Sequence, residues 1–590
     1  MTDALHADAA DAPQGLTPLT EGWWRDAVIY QVYPRSFADG DGDGVGDLPG
    51  ITARLDHIAK LGVDAVWLSP FYTSPQNDAG YDVADYRDVD PLFGTLADAD
   101  ALIERAHELG LKIIVDLVPN HTSSAHPWFA AALAAAPGSP ERERYMFREG
   151  KGADGELPPN DWRSVFGGPA WTRVTEPDGS PGQWYLHLFD VTQPDVNWDN
   201  PEVRAEFEDI LRFWSARGVD GFRVDVANGL VKEPGLPDWP FGAQQFDADD
   251  VGGRRPPMWD QEGVHEIFQS WRRVLDAFPQ QPILVAEAWV RPAWRQAKYV
   301  RADEMHQAFN FEYLKTPWDA SRLRPIITEV LAENAAVGAS ATWVLSNHDV
   351  VRHPTRYSYG AAAEVFAAGA VAGAVPNGIG ANDPQPDQEL SRRRGLAATL
   401  LMLALPGSSY LYQGEELGLP EHTTLPDEVR QDPTWERSGH AERGRDGCRV
   451  PLPWVADAPG FGFGPADGKQ PWLPQPESWA DLAADAQDGV EGSVLERYRE
   501  ALRLRRRLGL GRGSLSWRDD LCVEGPRGAG ALAFEVEAPD GTRTLVIATV
   551  GDGDGSPTAT LPSGAQVLLS SGELQDGHVP TDVTVWARLA

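Results

Sequence analysis

The chain has 590 residues, a formal net charge of -37 and a sequence pI of about 4.6. This length is too great for one hydrophobic core, so we expect about two to four structural units. The strong acidity excludes a nucleic-acid partner, because binding to phosphates requires clustered Lys and Arg residues.

The first residues have no pattern of a folded or targeting segment. Residues 1–18 are rich in Ala, Asp and Pro, without a basic end or an apolar centre, so we expect 1–20 to be a disordered tail and not a signal peptide. No run of about 18 apolar residues occurs, which predicts no membrane span. Two cysteines, Cys448 and Cys522, do not support a disulfide framework. The sequence therefore favours a cytoplasmic monomer or homodimer.

Strand and helix patterns alternate along most of the chain. The predicted strands lie at residues 27–33, 65–68, 112–118, 221–228, 283–287, 308–313, 342–346 and 409–412. The predicted helices lie at residues 51–61, 96–109, 201–217, 264–278, 321–336, 392–405 and 493–508. About eight strand–helix pairs predict an α/β fold, a (β/α)8 TIM barrel whose strand ends meet at one mouth.

Other stretches depart from this alternation. Residues 119–194 are too long for a plain loop and predict an inserted domain after strand 3, so that the barrel occupies 21–118 and 195–512. Within the barrel we expect loop insertions at 357–390 and 415–480, the first being either a flexible surface loop or a lid over the mouth. Short alternating segments predict a C-terminal antiparallel β-sandwich at 513–590.

Charged residues stand at the ends of the predicted barrel strands. Arg223 and Asp225 share one strand face, while Glu287 and Asp349 end two other strands. An ordinary buried ion pair is one interpretation of Arg223 and Asp225. Three carboxyl groups that converge on one mouth favour a second interpretation, a site for glycoside hydrolysis. Like charges in such a site raise the pKa of at least one of these groups, and glycoside hydrolysis requires one carboxyl group with a raised pKa.

Five segments resemble those of α-glucosidases in glycoside hydrolase family 13, the α-amylase superfamily, and in particular its oligo-1,6-glucosidase-like subgroup. They are Asp116-Leu-Val-Pro-Asn-His121, Gly221-Phe-Arg-Val-Asp225, Val285-Ala-Glu-Ala288, Ser346-Asn-His-Asp349 and Gln193-Pro-Asp-Val-Asn-Trp198. Their order and spacing make the resemblance specific, and it extends from about residue 23 to the end. It departs only slightly at Val196, where Leu is more usual.

The resemblance implies a retaining exo-α-glucosidase. Asp225 would be the nucleophile, Glu287 the general acid/base and Asp349 the transition-state stabiliser. The carboxyl separation would be that of retaining enzymes, about 5–5.5 Å. The implied reaction releases α-glucose from maltose and short α-gluco-oligosaccharides through a covalent β-glucosyl enzyme, with transglucosylation when a sugar hydroxyl replaces water.

The resemblance also implies a set of substrate-binding residues. Arg223 would keep Asp225 ionised, and an Asp78–Arg449 pair would close the pocket around a terminal glucose. The implied residues are Asp78, Tyr81, His121, Phe166, Phe189, Arg223, Val226, His348 and Arg449. Tyr81 would stack on the glucose, His121 and His348 would bind its hydroxyl groups, and the two Phe residues would form pocket walls.

An acidic loop resembles the calcium-binding loop of an EF-hand. In residues 39–47, oxygen-bearing side chains alternate with Gly. The resemblance places one structural Ca²⁺ or Mg²⁺ among Asp39, Asp41, Asp43, the carbonyl group of Val45, and Asp47. An acidic turn without metal is the alternative, and no organic cofactor is expected.

The preferred linkage stays open at this point. Val226, directly after the predicted nucleophile, resembles the oligo-1,6-glucosidase pattern, whereas the segment around it also resembles maltose-active α-glucosidases. An oligo-1,6-glucosidase that acts on isomaltose and a glucosyl transferase or isomerase such as trehalose synthase are therefore alternatives. Inactive binding proteins of the family lack one of the three acids, and this chain has all three.

Overall fold

The computed structural model describes residues 22–241, 254–359, 378–525, 528–551 and 559–589. The strands before the C-terminal region are β1 (Val28–Val32), β2 (Ala65–Leu68), β3 (Tyr72–Thr73), β4 (Asp85–Val89), β5 (Lys112–Leu117), β6 (Phe147–Arg148), β7 (Trp171–Thr175), β8 (Pro181–Leu186), β9 (Gly221–Val224), β10 (Ile283–Ala286), β11 (Gln307–Ala308), β12 (Thr342–Val344) and β13 (Ser408–Tyr412). The α-helices are α1 (Leu48–Leu61), α2 (Leu96–Glu108), α3 (Pro127–Ala134), α4 (Pro201–Ala216), α5 (Val264–Leu275), α6 (Ala293–Gln296), α7 (Phe311–Lys315), α8 (Ala320–Ala336), α9 (His353–Ser358), α10 (Gln388–Ala404), α11 (Pro433–Arg437), α12 (Ala484–Gln487) and α13 (Val494–Arg507).

Eight parallel strands form the central sheet. Their spatial order is β11-β10-β9-β5-β2-β1-β13-β12, which is their chain order around a ring. The backbone amide of Asn310, just after β11, donates to the carbonyl of Thr342 in β12 at 3.1 Å and so joins the two edges. The predicted (β/α)8 fold is confirmed, and its strand ends lie at one mouth.

Local sequence explains where the barrel helices begin and end. In α1, the side chain of Asp47 accepts from the backbone amide of Gly50, and Gly62 ends the helix in the left-handed conformation. The residues Ile51, Leu55 and Ile58 recur at helical spacing and are buried. The observed helix therefore begins three residues before the predicted segment, because its cap belongs to the acidic loop.

Between β5 and α4 the chain forms a small separate sheet. Strands β6, β8 and β7 are antiparallel in that order. An isolated bridge between His121 and Asp195 brings the two ends of this insertion together. The insertion therefore stands beside the mouth of the barrel, and its boundaries at 119 and 194 stay a prediction.

The C-terminal strands form an antiparallel sheet. They are β14 (Ser514–Trp517), β15 (Val523–Glu524), β16 (Gly530–Glu537), β17 (Arg543–Val550), β18 (Ala559–Thr560), β19 (Gln566–Ser570), β20 (His578–Val579) and β21 (Thr584–Arg588). The main sheet has the order β14-β16-β17-β21-β19, and β18 pairs with β20. The buried carboxylate of Asp582 accepts from Trp318 at 2.8 Å and Arg394 at 2.9 Å, which attaches this region to the barrel.

Two sequence predictions differ from the structure. The strand predicted at 308–313 is wrong beyond its first residue, because the Asn310 side chain caps α7 by accepting from the amide of Tyr313. The strand predicted at 221–228 ends at Val224. The predicted tail at 1–20 and most of the 357–390 loop lie outside the described residues. Among the described helices, none has the length and apolar character to cross a membrane.

Candidate active site

Consecutive barrel strands bring three carboxyl groups together. Asp116 lies in β5, Asp225 directly follows β9, and Glu287 directly follows β10. These strands are neighbours in the sheet, and the three residues are no more than 7% exposed. Asp349, which follows β12, has a side chain that is 26% exposed. The mouth of the barrel therefore carries the predicted catalytic residues and one further acid, Asp116.

Arg223 lies at the centre of this group. Its Nη1 atom donates to Asp116 at 2.7 Å and to Asp225 at 2.8 Å, and its Nη2 atom lies 2.8 Å from Oε2 of Glu287. One buried guanidinium group thus faces three carboxyl groups. The two predicted reacting groups, Asp225 and Glu287, are held side by side on it.

One cation does not neutralise three buried acids. Burial, reinforced by the negative charge of Glu287 and opposed by Arg223, raises the pKa of Asp225 well above its ordinary value. Burial likewise raises the pKa of Asp116 to about 6, although Arg223 opposes it. Arg223 therefore lowers the pKa of Asp225, as predicted, but it does not outweigh burial and the charge of Glu287; that Asp225 is ionised stays a prediction.

The two acids differ in their hydrogen-bond partners. Glu287 accepts from the backbone amide of Val226 at 3.0 Å and from the indole of Trp289 at 3.2 Å, in addition to its contact with Arg223. Asp225 accepts from Nη1 of Arg223 at 2.8 Å and also makes a side-chain hydrogen bond with Glu287. Glu287 thus has three N–H donors around its carboxyl group, and these contacts fix its orientation.

The backbone is strained directly after the predicted nucleophile. Val226 has φ 46° and ψ 46°, a left-handed conformation that is unfavourable for a β-branched residue. This conformation directs the Val226 amide towards Oε2 of Glu287, while the next amide, of Ala227, donates to the Glu287 carbonyl at 2.8 Å. The strain therefore accompanies the contact that fixes Glu287.

Asp349 is the acid that the site keeps ionised. Nε2 of His348 lies 3.3 Å from its Oδ2 atom, and Arg445 and Arg449 each donate to Oδ1 at 3.0 Å. Burial opposes its charge, but His348 and the two guanidinium groups outweigh burial and hold the pKa of Asp349 below its ordinary range. A fixed anion results, as the predicted transition-state stabiliser requires.

His348 is neutral in this environment. Burial lowers its pKa to about 3, although Asp349 opposes the shift. Its Nδ1 atom lies 2.7 Å from the side-chain amide nitrogen of Gln31. Since that nitrogen is a donor, Nδ1 accepts and Nε2 carries the hydrogen. The Nε2–H group of His348 is thus available on the side of Asp349.

Asp78 has a different arginine partner from the one predicted. Its Oδ1 atom accepts from Arg445 at 3.0 Å, whereas Arg449 donates to Asp349 and to the His348 carbonyl at 2.8 Å. The predicted Asp78–Arg449 pair is therefore wrong in its partner. A one-turn helix at Asp446–Cys448 separates the two arginines and points them to different acceptors.

The polar residues of the insertion reach the same site. Gln193 donates to Oδ2 of Asp78 at 3.0 Å, and its amide nitrogen lies 3.3 Å from Nε2 of His121. Nε2 of His121 also lies 3.1 Å from the Tyr81 carbonyl. Burial lowers the pKa of His121, although Asp195 opposes the shift, so it is neutral. The insertion thus completes the Asp78 side of the site.

The predicted aromatic residues also lie here. Tyr81 stacks on His348 with ring centres 5.3 Å apart and donates to Asp116 at 3.1 Å. Phe189 packs against His121 at 5.0 Å, and Phe166 lies 5.9 Å from Phe189. Their contacts with a sugar stay predictions.

The acidic loop gathers three of the predicted metal ligands. Asp39, Asp41 and Asp43 offer carboxylate oxygens within 4.8 Å of one another. Burial raises the pKa of Asp39, and the charges of Asp41 and Asp43 raise it further. Gly44 has φ +92°, and a Cβ atom there would lie 2.4 Å from the Gln470 carbonyl, so only glycine fits. This all-oxygen donor set suits Ca²⁺ or Mg²⁺.

The other two predicted ligands have additional backbone contacts. Asp47 accepts from the amides of Gly40, Asp41 and Gly50, and so caps α1. The amide of Val45 donates to Asp43 at 2.8 Å. Metal binding by all five residues stays a prediction.

Sequence reasoning missed four residues of the site. Two of them, Asp116 and Gln193, lie inside the motifs quoted above, and Arg445 lies four residues before Arg449. The sequence therefore indicated these segments but not the roles of these three residues. Trp289 gave no signal except its position two residues after Glu287. Its contact with Glu287 depends on how β10 ends.

Comparisons with known proteins agree with this geometry. The family model described as "Alpha amylase, catalytic domain" matches residues 31–373 and 384–510. A "Probable alpha-glucosidase" of Rhizobium meliloti (strain 1021) is 40% identical over 500 residues, which is 82% of each chain. An oligo-1,6-glucosidase of Parageobacillus thermoglucosidasius is 34% identical over 525 residues, covering 82% of this chain and 84% of the relative. The crystal structure of the α-glucosyl transfer enzyme XgtA has a TM-score of 0.77 and 36% identity, covering 96% of this chain and 99% of that one.

Proposed function

Because the chain belongs to the α-amylase family of glycoside hydrolases, we propose that it is an exo-acting, retaining α-glucosidase. Its substrates are maltose and short α-gluco-oligosaccharides, from whose non-reducing ends it releases α-glucose. The observation that supports this most strongly is the pair Asp225 and Glu287 on one guanidinium group, each within 2.8 Å of Arg223. Asp349, held by Arg445 and Arg449, is the third predicted acid of the site.

In the first step, Asp225 and Glu287 act on opposite atoms of one bond. An Asp225 oxygen forms a bond to the anomeric carbon as the bond from that carbon to the glycosidic oxygen breaks. Glu287 donates a proton to the leaving oxygen as this bond breaks. Asp349, held ionised by Arg445 and Arg449, stabilises the positive charge that develops on the sugar.

In the second step, Glu287 serves as the base. It takes a proton from water, whose oxygen attacks the anomeric carbon, and the ester bond to Asp225 breaks to release α-glucose. When a sugar hydroxyl replaces water, the same step transfers glucose and gives transglucosylation. The carboxyl separation of about 5–5.5 Å that is expected of a retaining pair stays a prediction.

Exo action is attributed to the closed end of the site. Asp78, Arg445 and Asp349 form a continuous set of hydrogen bonds, each 3.0 Å long. With Asp432, which accepts from Nε of Arg445 at 2.6 Å, these groups form a wall against which a terminal sugar fits. A polymer that continues beyond that sugar is excluded.

Two alternatives have support of their own. Val226 packs directly beside the nucleophile and the resemblance at this position favours an oligo-1,6-glucosidase. Similarity to the α-glucosyl transfer enzyme XgtA favours transfer over hydrolysis. Both alternatives use the same three acids and differ in the acceptor side of the site.

A divalent cation in the acidic loop would have a structural role. Asp39, Asp41 and Asp43 would hold it, and the ion would neutralise their mutual repulsion. The loop precedes α1 and packs against residues 463–470, where the Asp39 amide donates to the Phe463 carbonyl at 2.8 Å. The cytoplasmic location stays a prediction from the sequence.

The test is a comparison of products from maltose, isomaltose, sucrose and trehalose. We expect glucose from maltose, appearing first as the α-anomer in proton NMR spectra. Faster cleavage of isomaltose would support the oligo-1,6-glucosidase, and trehalose formed from maltose would support the isomerase. Glucose that appears first as the β-anomer would contradict the retaining mechanism.

A further inference from the structure

Trp289 contacts the predicted acid/base directly. Its Nε1–H group donates to Oε1 of Glu287 at 3.2 Å. The other oxygen, Oε2, accepts from the Val226 amide and faces Arg223. The indole therefore supplies the donor for the oxygen that these two groups do not reach.

The indole ring of Trp289 is fixed on both faces. The ring of Phe311 is parallel to it within 5°, with centres 3.8 Å apart. The Lys315 ammonium lies 4.6 Å from the indole centre. Because a ring at 3.8 Å fills one face, Lys315 covers the other. Phe311 and Lys315 are four residues apart on α7 and so reach the same side of the helix.

Backbone contacts hold this arrangement from both sides. The amide of Phe309 donates to the Ala286 carbonyl at 3.1 Å. The side chain of Gln296 donates to the carbonyl groups of Ala288 at 3.2 Å and of Phe309 at 2.8 Å. The end of β10 and the start of α7 are thus tied together. The indole is half-buried, with Phe311 stacked on one face and the Lys315 ammonium near the other, and its N–H group donates to Glu287.

We propose that Trp289 is a positioning residue, whose Nε1–H group orients Glu287 and favours its ionised form. The proposal rests on the proposed function, in which Glu287 alternates between acid and base. An N–H group that donates to a carboxylate stabilises the charged form. Trp289 thereby sets the pH above which Glu287 no longer carries the proton for the first step.

Other charged groups also face Glu287. They are Arg223 and Asp225 at β9, Asp116 in β5, and Lys315 on α7 behind the indole. A Trp289→Phe variant leaves all of them in place and keeps an aromatic ring between Phe311 and Lys315. A change in its pH profile therefore reports on the lost N–H group.

The experiment compares kcat and KM of Trp289→Phe with those of wild type between pH 4 and 10, with p-nitrophenyl α-glucoside as substrate. We expect the alkaline limb of kcat/KM to move up by about one pH unit. At pH 7 we expect kcat to fall several-fold while KM changes less than about two-fold. Trp294→Phe, which removes an indole that is 49% exposed on α6, is the matched control and keeps the wild-type limb.

Two results would overturn the proposal. One is an alkaline limb in Trp289→Phe that coincides with that of wild type. The other is a loss of activity that accompanies a lower Tm while the limb stays in place, which would indicate a structural role only. Either result leaves the proposed function intact if wild type releases glucose.

A second measurement covers the case in which wild type hydrolyses no glucoside, which would be a failure of the proposed function. The probe is then 1-deoxynojirimycin, a basic sugar mimic, with its affinity measured by calorimetry across pH. Since its ammonium group binds an ionised carboxyl pair, we expect binding to begin at a higher pH in Trp289→Phe. The same onset in both proteins, or no binding to either, would overturn the proposal.

Discussion

The guanidinium group of Arg445 donates to the carboxylate of Asp78 at 3.0 Å and so joins two residues that are 367 positions apart. The same group reaches Asp349 at 3.0 Å and Asp432 at 2.6 Å. One cation thus links the closed end of the site to the acid that stabilises the developing charge. Arg449, the arginine predicted from the sequence, instead donates to Asp349 and to the His348 carbonyl.

We predict that Asp78 and Arg445 are energetically coupled. In a double-mutant cycle of Asp78→Asn and Arg445→Met, the losses in kcat/KM for maltose should not add, with a coupling of about 1–3 kcal/mol. Each single substitution leaves a buried charge without its partner, so each should lower kcat/KM by roughly 100-fold. The matched cycle replaces Arg445→Met with Arg449→Met and should give near-additive losses. Equal coupling in both cycles would contradict the observed pairing.

We predict that Val226 influences the preferred linkage. In Val226→Ala, the ratio of kcat/KM for maltose to that for isomaltose should rise roughly 10-fold, the usual effect of a few methyl groups in a substrate pocket. Stability should change little, because the relief of left-handed strain at φ 46° offsets the loss of buried methyl groups. Hydrolysis rates on the two disaccharides and a thermal unfolding curve test this. An unchanged ratio would assign the linkage preference to other residues.

We predict that divalent cations stabilise the protein through the acidic loop. Calcium at about 100 times its Kd should add about 2.7 kcal/mol to the free energy of unfolding, and a chelator should remove that gain. Asp41→Asn should abolish the dependence of Tm on calcium, because it removes one carboxylate of the Asp39, Asp41 and Asp43 cluster. Asp85→Asn, an exposed site in β4, is the control. A calcium response that persists in Asp41→Asn would place the metal elsewhere.

A buried acid outside the catalytic group makes stability depend on pH. Burial raises the pKa of Glu415 from 4.5 to about 8, although the Tyr412 amide donates to it at 2.9 Å. The folded state therefore holds this proton more tightly than the unfolded state. Its contribution to stability is fully present below about pH 4.5 and is lost as the pH rises to about 8.

We predict that Glu415→Gln removes this dependence. Between pH 5 and 8, the stability of the variant relative to wild type should rise by roughly 3–5 kcal/mol. Denaturant unfolding at several pH values measures this difference. Any effect of the introduced amide group on the free energy of unfolding is the same at each pH, so it does not contribute to the change with pH. A difference that stays flat with pH would show that Glu415 is ionised in the folded protein.

The sequence allowed much of the barrel to be predicted, because strand and helix patterns depend on local burial. Strand β2, for example, has the predicted bounds, since Ala65 to Leu68 are all buried. The segment at 308–313 failed because Asn310 caps a short helix, and the pattern of apolar residues does not distinguish a short helix from a strand. The C-terminal sheet is antiparallel as predicted, although seven of the eight residues of β17 are buried and its burial does not alternate.

The candidate site was predictable in its residue types but not in its pairing. Arg445 and Arg449 stand four residues apart, and only the helical turn between them determines which reaches Asp78. The charge of Asp225 was also beyond the sequence, because it depends on three carboxyl groups that meet at one guanidinium group. Both the arginine that pairs with Asp78 and the pKa of Asp225 depend on distances between residues that are far apart in the sequence.

The proposed reaction requires that Asp225 forms a covalent bond to glucose while Glu287 acts as acid and base. The most direct test treats Glu287→Gln with α-glucosyl fluoride, whose leaving group needs no acid, and identifies the modified peptide by mass spectrometry. We expect one added glucosyl unit on Asp225, which accumulates because the base for the second step is absent. The control, Asp225→Asn, should gain no glucosyl unit. Glucosylation at a different residue, or an unmodified Glu287→Gln protein that still releases glucose at the wild-type rate, would contradict it.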